Sequence, residues 1–184
     1  MAQGVEHLIL IGPRASGKST VGCALAAAWA IPFVDLDERV RAAFGNGSVR
    51  EIWARWGEAR WRECEARTLE EVLDEPGPQV LALGGGTPMT DSSRERLARE
   101  QVRERAIIVH LDVPIEELRR RLATEAGDRP ALRGAGVMDE VAQIVAERRP
   151  TYLALAKYTV PAAQSPEVVA ACVRRLVGRF GAGS

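Results

Sequence analysis

The 184-residue chain has no uninterrupted apolar run near the roughly 20 residues that a membrane-spanning helix needs. Its 25 basic and 25 acidic residues cancel, so no overall positive field favours nonspecific binding of nucleic acid. Cys23, Cys64 and Cys172 lie far apart without a CxxC pair, which argues against a disulfide framework and a zinc site. No secretory pattern precedes His7. We therefore expect reduced cysteines, a cytoplasmic location, and neither a membrane nor a nucleic acid as partner.

Lysine is the scarcest charged residue. The chain has only two lysines, Lys18 and Lys157, and 23 arginines. The hydrophobic fraction of 46% is too high for a disordered chain. The length suits one compact domain with a core of ordinary size. Because no internal repeat or long linker divides the sequence, we expect a single domain over residues 1–184, acting as a monomer.

Short apolar segments alternate along the chain with segments of helical pattern. The longest helical stretch, 38–74, is broken near 45–47 and at Gly57, and a polar loop covers 125–136. Later helices are expected over 137–156, which contains Pro150, and over 166–180. This alternation is typical of a parallel sheet between two layers of helices. We predict an α/β three-layer sandwich with five parallel strands, at residues 8–11, 33–34, 80–83, 107–111 and 158–160.

Residues 12–19 match the phosphate-binding pattern GxxxxGK[ST] at every position. They follow an apolar strand and open a helix, so backbone N–H groups and the helix N-terminus face an anion. Lys18 is expected to reach the β- and γ-phosphates, and the Ser19 hydroxyl to bind Mg²⁺. The alternative is a glycine turn with a surface lysine. We predict a P-loop NTPase fold, with ATP bound by Gly12, Ala15, Ser16, Gly17, Lys18, Ser19 and Thr20.

The layout of the chain favours a small-molecule kinase over other P-loop proteins. The sequence lacks the Asn-Lys-x-Asp segment of a nucleotide switch, and it is shorter than a motor ATPase normally is. A helical insertion at about 37–74 and a polar, arginine-bearing loop at about 125–136 suit an acceptor pocket and a lid. Closure of such elements over an acceptor excludes water.

The order and spacing of several short segments resemble the shikimate kinase family, whose fold is similar to that of nucleoside monophosphate kinases. The resemblance covers about residues 7–177. It implies transfer of the γ-phosphoryl group of ATP to the 3-hydroxyl of shikimate, in the pathway to chorismate and the aromatic amino acids. The matching segments are residues 12–20, 35–37, 57–62, 84–86, 129–130 and 148–152.

The resemblance also implies which residues hold the acceptor. Asp37 matches the aspartate that contacts the acceptor hydroxyl, and Arg62 and Arg148 match the arginines that bind its carboxylate. A guanidinium fork suits a carboxylate. The triple glycine, Gly84, Gly85 and Gly86, would offer backbone N–H groups to the acceptor; the alternative is a plain turn. Arginines on helices are more often solvated surface residues.

For ATP and its metal, the resemblance implies a second set of roles. Arg129 matches the lid arginine that covers the phosphates and stabilises transition-state charge. Asp35 matches the residue that holds Mg²⁺ through water, beside Ser19. The alternative is that Asp35 and Asp37 simply cap the following helix. Gln164 aligns with a position that lines the adenine in some relatives.

Three departures from the family pattern affect the acceptor and adenine contacts. Trp53 and Trp61 stand where the family commonly has phenylalanines beside the acceptor. Ala82 and Leu83 occupy a stretch where relatives often carry a hydroxyl. Residues 161–163, Pro-Ala-Ala, replace a more polar stretch.

Two rival functions stay open. One is a kinase of another small acceptor such as gluconate or a nucleotide. The other is a nucleotide-binding regulatory protein that has lost catalysis, against which the intact Lys18, Ser19, Asp37 and Arg129 argue.

Overall fold

The computed structural model describes residues 5–124, 137–178 and 180. It contains five strands: β1 His7–Ile11, β2 Phe33–Asp35, β3 Gln79–Ala82, β4 Ala106–Asp112 and β5 Tyr158–Pro161. They form one sheet in the order β2-β3-β1-β4-β5, and every pair of neighbours is parallel. The predicted parallel sheet of five strands is confirmed, with no strand end shifted by more than one residue.

Helices cover both faces of this sheet. They are α1 Lys18–Trp29, α2 Leu36–Ala43, α3 Val49–Asp74, α4 Asp91–Val102, α5 Ile115–Thr124, α6 Val137–Leu155 and α7 Pro166–Val177, with a short 3-10 helix at Thr87–Met89. Alternate residues of β1 belong to two hydrophobic clusters. Ile9 and Ile11 pack in the cluster that includes α3, whereas Leu8 and Leu10 pack in the cluster that includes α1 and α7. The three-layer sandwich is therefore confirmed.

The interruptions expected in the long helical stretch are present. α2 ends at Ala43, and Ser48 then begins α3 with a capping box, in which Ser48 and Glu51 satisfy each other's backbone N–H groups. Within α3 the backbone leaves the helical conformation at Gly57. α6 continues through Pro150 as one helix. α7 ends at Val177, before the predicted residue 180, because the backbone of Gly178 is not helical.

The structure also describes the cysteines and the lengths of the helices. Cys23, Cys64 and Cys172 are free thiols, one each in α1, α3 and α7, as predicted. Within the described ranges, no helix has both the length and the apolar character to cross a membrane.

The parallel arrangement decides where the site lies. The carboxyl ends of β1, β2 and β3 lie at one edge of the sheet. The phosphate loop follows β1, Asp35 ends β2, and the triple glycine follows β3. Segments that are far apart in sequence therefore meet beyond this edge, where ligands of open α/β sheets usually bind.

Candidate functional site

The loop after β1 has the geometry of a phosphate cradle. Gly12 has a φ of +148°, and a Cβ there would lie 2.8 Å from the Leu111 carbonyl oxygen, so both the conformation and the close approach require glycine. Lys18 Nζ folds back over the loop, donating to the carbonyls of Gly12 at 3.0 Å and Pro13 at 2.8 Å. Because α1 begins at Lys18, its positive N-terminal end faces the cradle.

A hydroxyl and a carboxylate lie side by side next to this loop. Ser19 Oγ donates to Asp35 Oδ2 at 2.5 Å. The other oxygen of Asp35, Oδ1, accepts from the backbone N–H groups of Asp37 and Glu38. Asp35 is therefore the N-cap of α2, as the capping alternative expected, whereas Asp37 lies inside the first turn.

The oxygen atoms of Ser19 and Asp35 fit a magnesium ion. Mg²⁺ prefers hard oxygen ligands and is usually held by one or two protein groups, waters and substrate phosphates. In the described part of the chain, no group of three or more His, Cys, Asp or Glu side chains is arranged to hold a metal. The donor set present matches an ion that arrives with a nucleotide.

Asp37 packs against the backbone that follows β3. A Cβ at residue 84 would lie 2.5 Å from Asp37 Oδ1 and 2.7 Å from Glu65 Oε1, so only glycine admits both carboxylates. Glu65 Oε1 accepts a hydrogen bond from Thr87 Oγ1 at 2.7 Å, and Glu65 is 1% exposed. Sequence reasoning did not single out Glu65, because an acidic residue in a long charged helix carries no local signal of burial.

Arg62 reaches the triple glycine from α3. Its Nη2 lies 2.6 Å from the position of a Cβ at residue 86. Its guanidinium pairs with Glu65 Oε2 at 2.8 Å and with Glu58 Oε1 at 3.0 Å. Burial by itself would lower the pKa of Arg62, but Glu65 and Glu58 outweigh it and hold that pKa above its usual value. Arg62 is therefore a fully charged cation, paired with two glutamates.

Arg148 reaches the same glycines from α6. Its Nη1 donates to the Gly85 carbonyl at 3.2 Å, and Tyr152 donates to the same oxygen at 2.6 Å. The structure therefore brings Arg62 and Arg148, which are 86 positions apart in the chain, to adjacent residues of one turn. Two guanidinium groups at one wall suit an anionic ligand.

One cleft joins the phosphate loop to the glycine turn. A Cβ at Gly85 would lie 3.3 Å from the backbone nitrogen of Arg14 and 3.4 Å from the Gly12 carbonyl oxygen, so the turn packs directly on the loop. The phosphate loop and the glycine turn are thus in direct backbone contact. The residues lining the cleft are Arg14, Ala15, Gly17, Lys18, Ser19, Thr20, Asp35, Asp37, Leu83 and Gly85.

Arg121 of α5 is a site residue that the sequence did not reveal. Its Nη1 donates to the Ala15 carbonyl at 3.2 Å, and its Nη2 donates to the Ala162 carbonyl at 2.9 Å. It thereby ties the phosphate loop to the segment after β5. Gln164 is exposed in that segment, and Arg129, with the whole predicted lid at 125–136, lies outside the described residues.

The two tryptophans at unusual positions have different surroundings. Trp61 is buried in the hydrophobic cluster of α3 and stacks on Phe44, with ring centroids 6.2 Å apart and planes 10° apart. Trp53 is partly buried, and its ring centroid lies 5.9 Å from Arg62 Cζ. Trp61 is thus a core residue, while Trp53 adjoins Arg62.

The sheet, the phosphate loop and the cleft beside the glycine turn define a P-loop kinase. The shikimate kinase family model matches residues 14–177. A shikimate kinase of Bradyrhizobium diazoefficiens is 36% identical over 179 residues, which are 95% of this chain and 81% of that protein. The chain belongs to the shikimate kinase family.

Solved structures agree with this assignment. A shikimate kinase from Acinetobacter baumannii in complex with shikimate has a TM-score of 0.84 and 28% identity, covering 94% of this chain and 93% of that one. The shikimate kinase of Bacteroides thetaiotaomicron has a TM-score of 0.81 and 29% identity, covering 95% of this chain and 99% of that one. The predicted family, fold class and ATP-dependent kinase activity are confirmed.

Proposed function

We propose that the chain transfers the γ-phosphoryl group of ATP to the 3-hydroxyl of shikimate, using the cleft between the phosphate loop and the triple glycine. One observation carries this proposal: Arg62 and Arg148 meet at Gly85 and Gly86, which adjoin the phosphate loop. A small acceptor with one carboxylate and a nearby hydroxyl matches this wall. The known shikimate complex of the Acinetobacter relative supports the same acceptor here.

Arg62 exchanges one of its partners when the acceptor binds. Of its two carboxylate partners, Glu58 is 49% exposed, whereas Glu65 is buried. An ion pair with an exposed carboxylate is weak, about 0–1 kcal/mol. The acceptor carboxylate therefore displaces Glu58 at small cost, while Glu65 keeps the guanidinium in place.

Asp37 acts on the acceptor hydroxyl and Lys18 on the transferred phosphate. The Asp37 carboxylate, held against Gly84, orients the hydroxyl or accepts its proton. Lys18 leaves the loop carbonyls for the phosphates, whose charge makes a stronger acceptor. Phosphoryl transfer depends mainly on such positioning and charge stabilisation.

Ser19 and Asp35 would hold Mg²⁺, with Asp35 acting through water. The ion would neutralise charge on the β- and γ-phosphates. Arg129 of the proposed lid at 125–136 supplies a further cation to the phosphates, and the insertion over 37–74 forms the acceptor side of the site. Contact of Gln164 with adenine, a monomeric state and a cytoplasmic location stay predictions.

An acceptor panel tests the reaction. ADP release is measured with ATP and Mg²⁺ in the presence of shikimate, gluconate or a nucleoside monophosphate. We expect ADP release with shikimate and none with gluconate or the nucleoside monophosphate. Turnover with another acceptor and none with shikimate would refute the proposal, and binding of ATP and shikimate without ADP release would favour an inactive regulatory protein.

Alanine variants test the acceptor wall. Arg62→Ala and Arg148→Ala should each raise the KM for shikimate by about tenfold or more, because a charge-assisted bond contributes about 1.5–3 kcal/mol, and should leave the KM for ATP unchanged. Arg67→Ala is the matched control, since Arg67 is an exposed arginine of the same helix. A rise confined to the KM for ATP would place the arginine on the other substrate.

A further inference from the structure

The Gly85 carbonyl is a buried acceptor with two donors. Tyr152 Oη donates to it at 2.6 Å and Arg148 Nη1 at 3.2 Å. A carbonyl oxygen has two lone pairs, so these bonds fill its capacity. The shorter bond comes from a tyrosine that is 1% exposed, and the longer one from the arginine to which we assign the acceptor carboxylate.

Tyr152 is held rigidly below the glycine turn. Its ring stacks on His110 of β4, with centroids 5.2 Å apart and planes 28° apart, and His110 is also 1% exposed. Burial raises the pKa of Tyr152 to about 12, against the opposing charges of Arg148 and Arg62. The hydroxyl therefore keeps its proton and remains a donor at neutral pH.

The two donors, Arg148 and Tyr152, differ in their freedom to leave the Gly85 carbonyl. Arg148 can move from the carbonyl to a ligand, because its guanidinium is only partly buried and has further N–H groups. Tyr152 has one O–H group and a stacked ring, so it stays where it is. Leaving a buried carbonyl without any donor would be costly.

We propose that Tyr152 is a positioning residue, which keeps the Gly85 carbonyl satisfied when Arg148 turns to the acceptor carboxylate. This inference rests on the proposed role of Arg148. Without the tyrosine hydroxyl, the carbonyl would compete with the acceptor for the guanidinium.

Tyr152→Phe tests the inference, since it removes the hydroxyl and leaves the stacked ring. We expect the KM for shikimate to rise about tenfold, equivalent to ~1.4 kcal/mol, with kcat and the KM for ATP within twofold of the parent. Tyr158→Phe is the matched control: Tyr158 is the other tyrosine of the chain, and the same change there should leave all three constants unaltered.

The double variant Arg148→Ala/Tyr152→Phe separates positioning from general support of the fold. Once Arg148 is absent, loss of the hydroxyl should cause no further rise in the KM for shikimate. An equal rise in both backgrounds, or parallel losses in kcat, both KM values and Tm, would overturn the inference. The inference would also be overturned if Arg148→Ala raised the KM for shikimate and Tyr152→Phe left it unchanged. If Arg148→Ala has no effect, the proposed carboxylate contact is wrong and the inference falls with it.

Discussion

Gly84→Ala places one methyl group between the two carboxylates at the centre of the site. The new Cβ would lie 2.5 Å from Asp37 Oδ1, 2.7 Å from Glu65 Oε1 and 3.1 Å from Thr87 Oγ1. Real Cβ atoms essentially never approach other atoms within 3.0 Å. The Asp37 oxygen must therefore move by about 0.5 Å and the Glu65 oxygen by about 0.3 Å.

These displacements set the size of the expected effect. A misplacement of about 1 Å in an active site can lower the rate ~100-fold, so half that shift at Asp37 corresponds to a kcat about tenfold lower. Overpacking of a buried site costs about 1–3 kcal/mol. For a chain of this length, each ~1 kcal/mol lowers Tm by about 2–4 °C, and we expect Tm to fall by about 2–12 °C.

Coupled ADP release at 25 °C, with both substrates saturating, measures the change in kcat, and thermal denaturation measures Tm. Gly47→Ala is the matched control, because a Cβ at Gly47 has its nearest contact at 3.6 Å, from Ile52 Cγ1. A folded Gly84→Ala variant with kcat within twofold of the parent would refute the argument that Asp37 needs this placement for catalysis.

Three further predictions concern other parts of the site. In Gly86→Ala the new Cβ would lie 2.7 Å from Arg62 Cζ, so the Arg62 side chain must move away from the turn. Because a flexible side chain can do so without disturbing the fold, Tm should be unaltered, whereas initial rates should show a KM for shikimate about tenfold higher. An unaltered KM would contradict this placement of Arg62. Lys18→Ala should lower kcat about 100-fold with an unchanged circular dichroism spectrum, and near-normal turnover would exclude its phosphate role. Burial lowers the pKa of His7 and His110 below 6.5, so the unfolded chain binds more protons, and stability should fall as pH drops from about 6.5 to 5. Thermal denaturation of His110→Gln should show a smaller fall, and an equal fall would assign the pH dependence to other groups.

Features with a local signal were predicted well. The apolar strands, the phosphate loop and the breaks at 45–47 and Gly57 follow from residue pattern and turn chemistry within a few positions of the chain. Some strand ends were displaced by one residue, because they depend on pairing with the neighbouring strand. The end of α7 was displaced by three residues, because it depends on the conformation of the last helical turn. The capping role of Asp35 was recognised as an alternative for the same reason: an N-cap is a local arrangement.

Roles that depend on burial or on helix orientation had no such signal. Glu65 lies in a helix rich in exposed charges, and only its packing against Thr87 and the glycine turn distinguishes it. Trp53 and Trp61 occupy similar positions in the family pattern, and only the structure shows that Trp61 stacks on Phe44 in the core. Tyr152 and His110 come together from α6 and β4.

The arginines separate these two kinds of information most clearly. The sequence places Lys18, one of only two lysines, in the phosphate loop of a parallel α/β fold, because motif and periodicity are local. It also carries Arg119, Arg120 and Arg121 in a row, with nothing to tell them apart. Only the folded chain brings Arg121 to the Ala15 carbonyl of the phosphate loop. Arg119 and Arg120 pair with Glu116 and Glu117 of their own helix, and Arg121 shares Glu117 with Arg120.

Other arginines brace the core instead of binding a ligand. Arg96 is nearly buried and forms ion pairs with Glu70 and Asp74 of α3 and with Glu100 of its own helix. The same residue type thus contacts the phosphate loop, holds helices together or lies in solvent. The difference is set by the rotation of each helix against the sheet, which depends on packing between elements far apart in the chain, and therefore only the folded structure decides it.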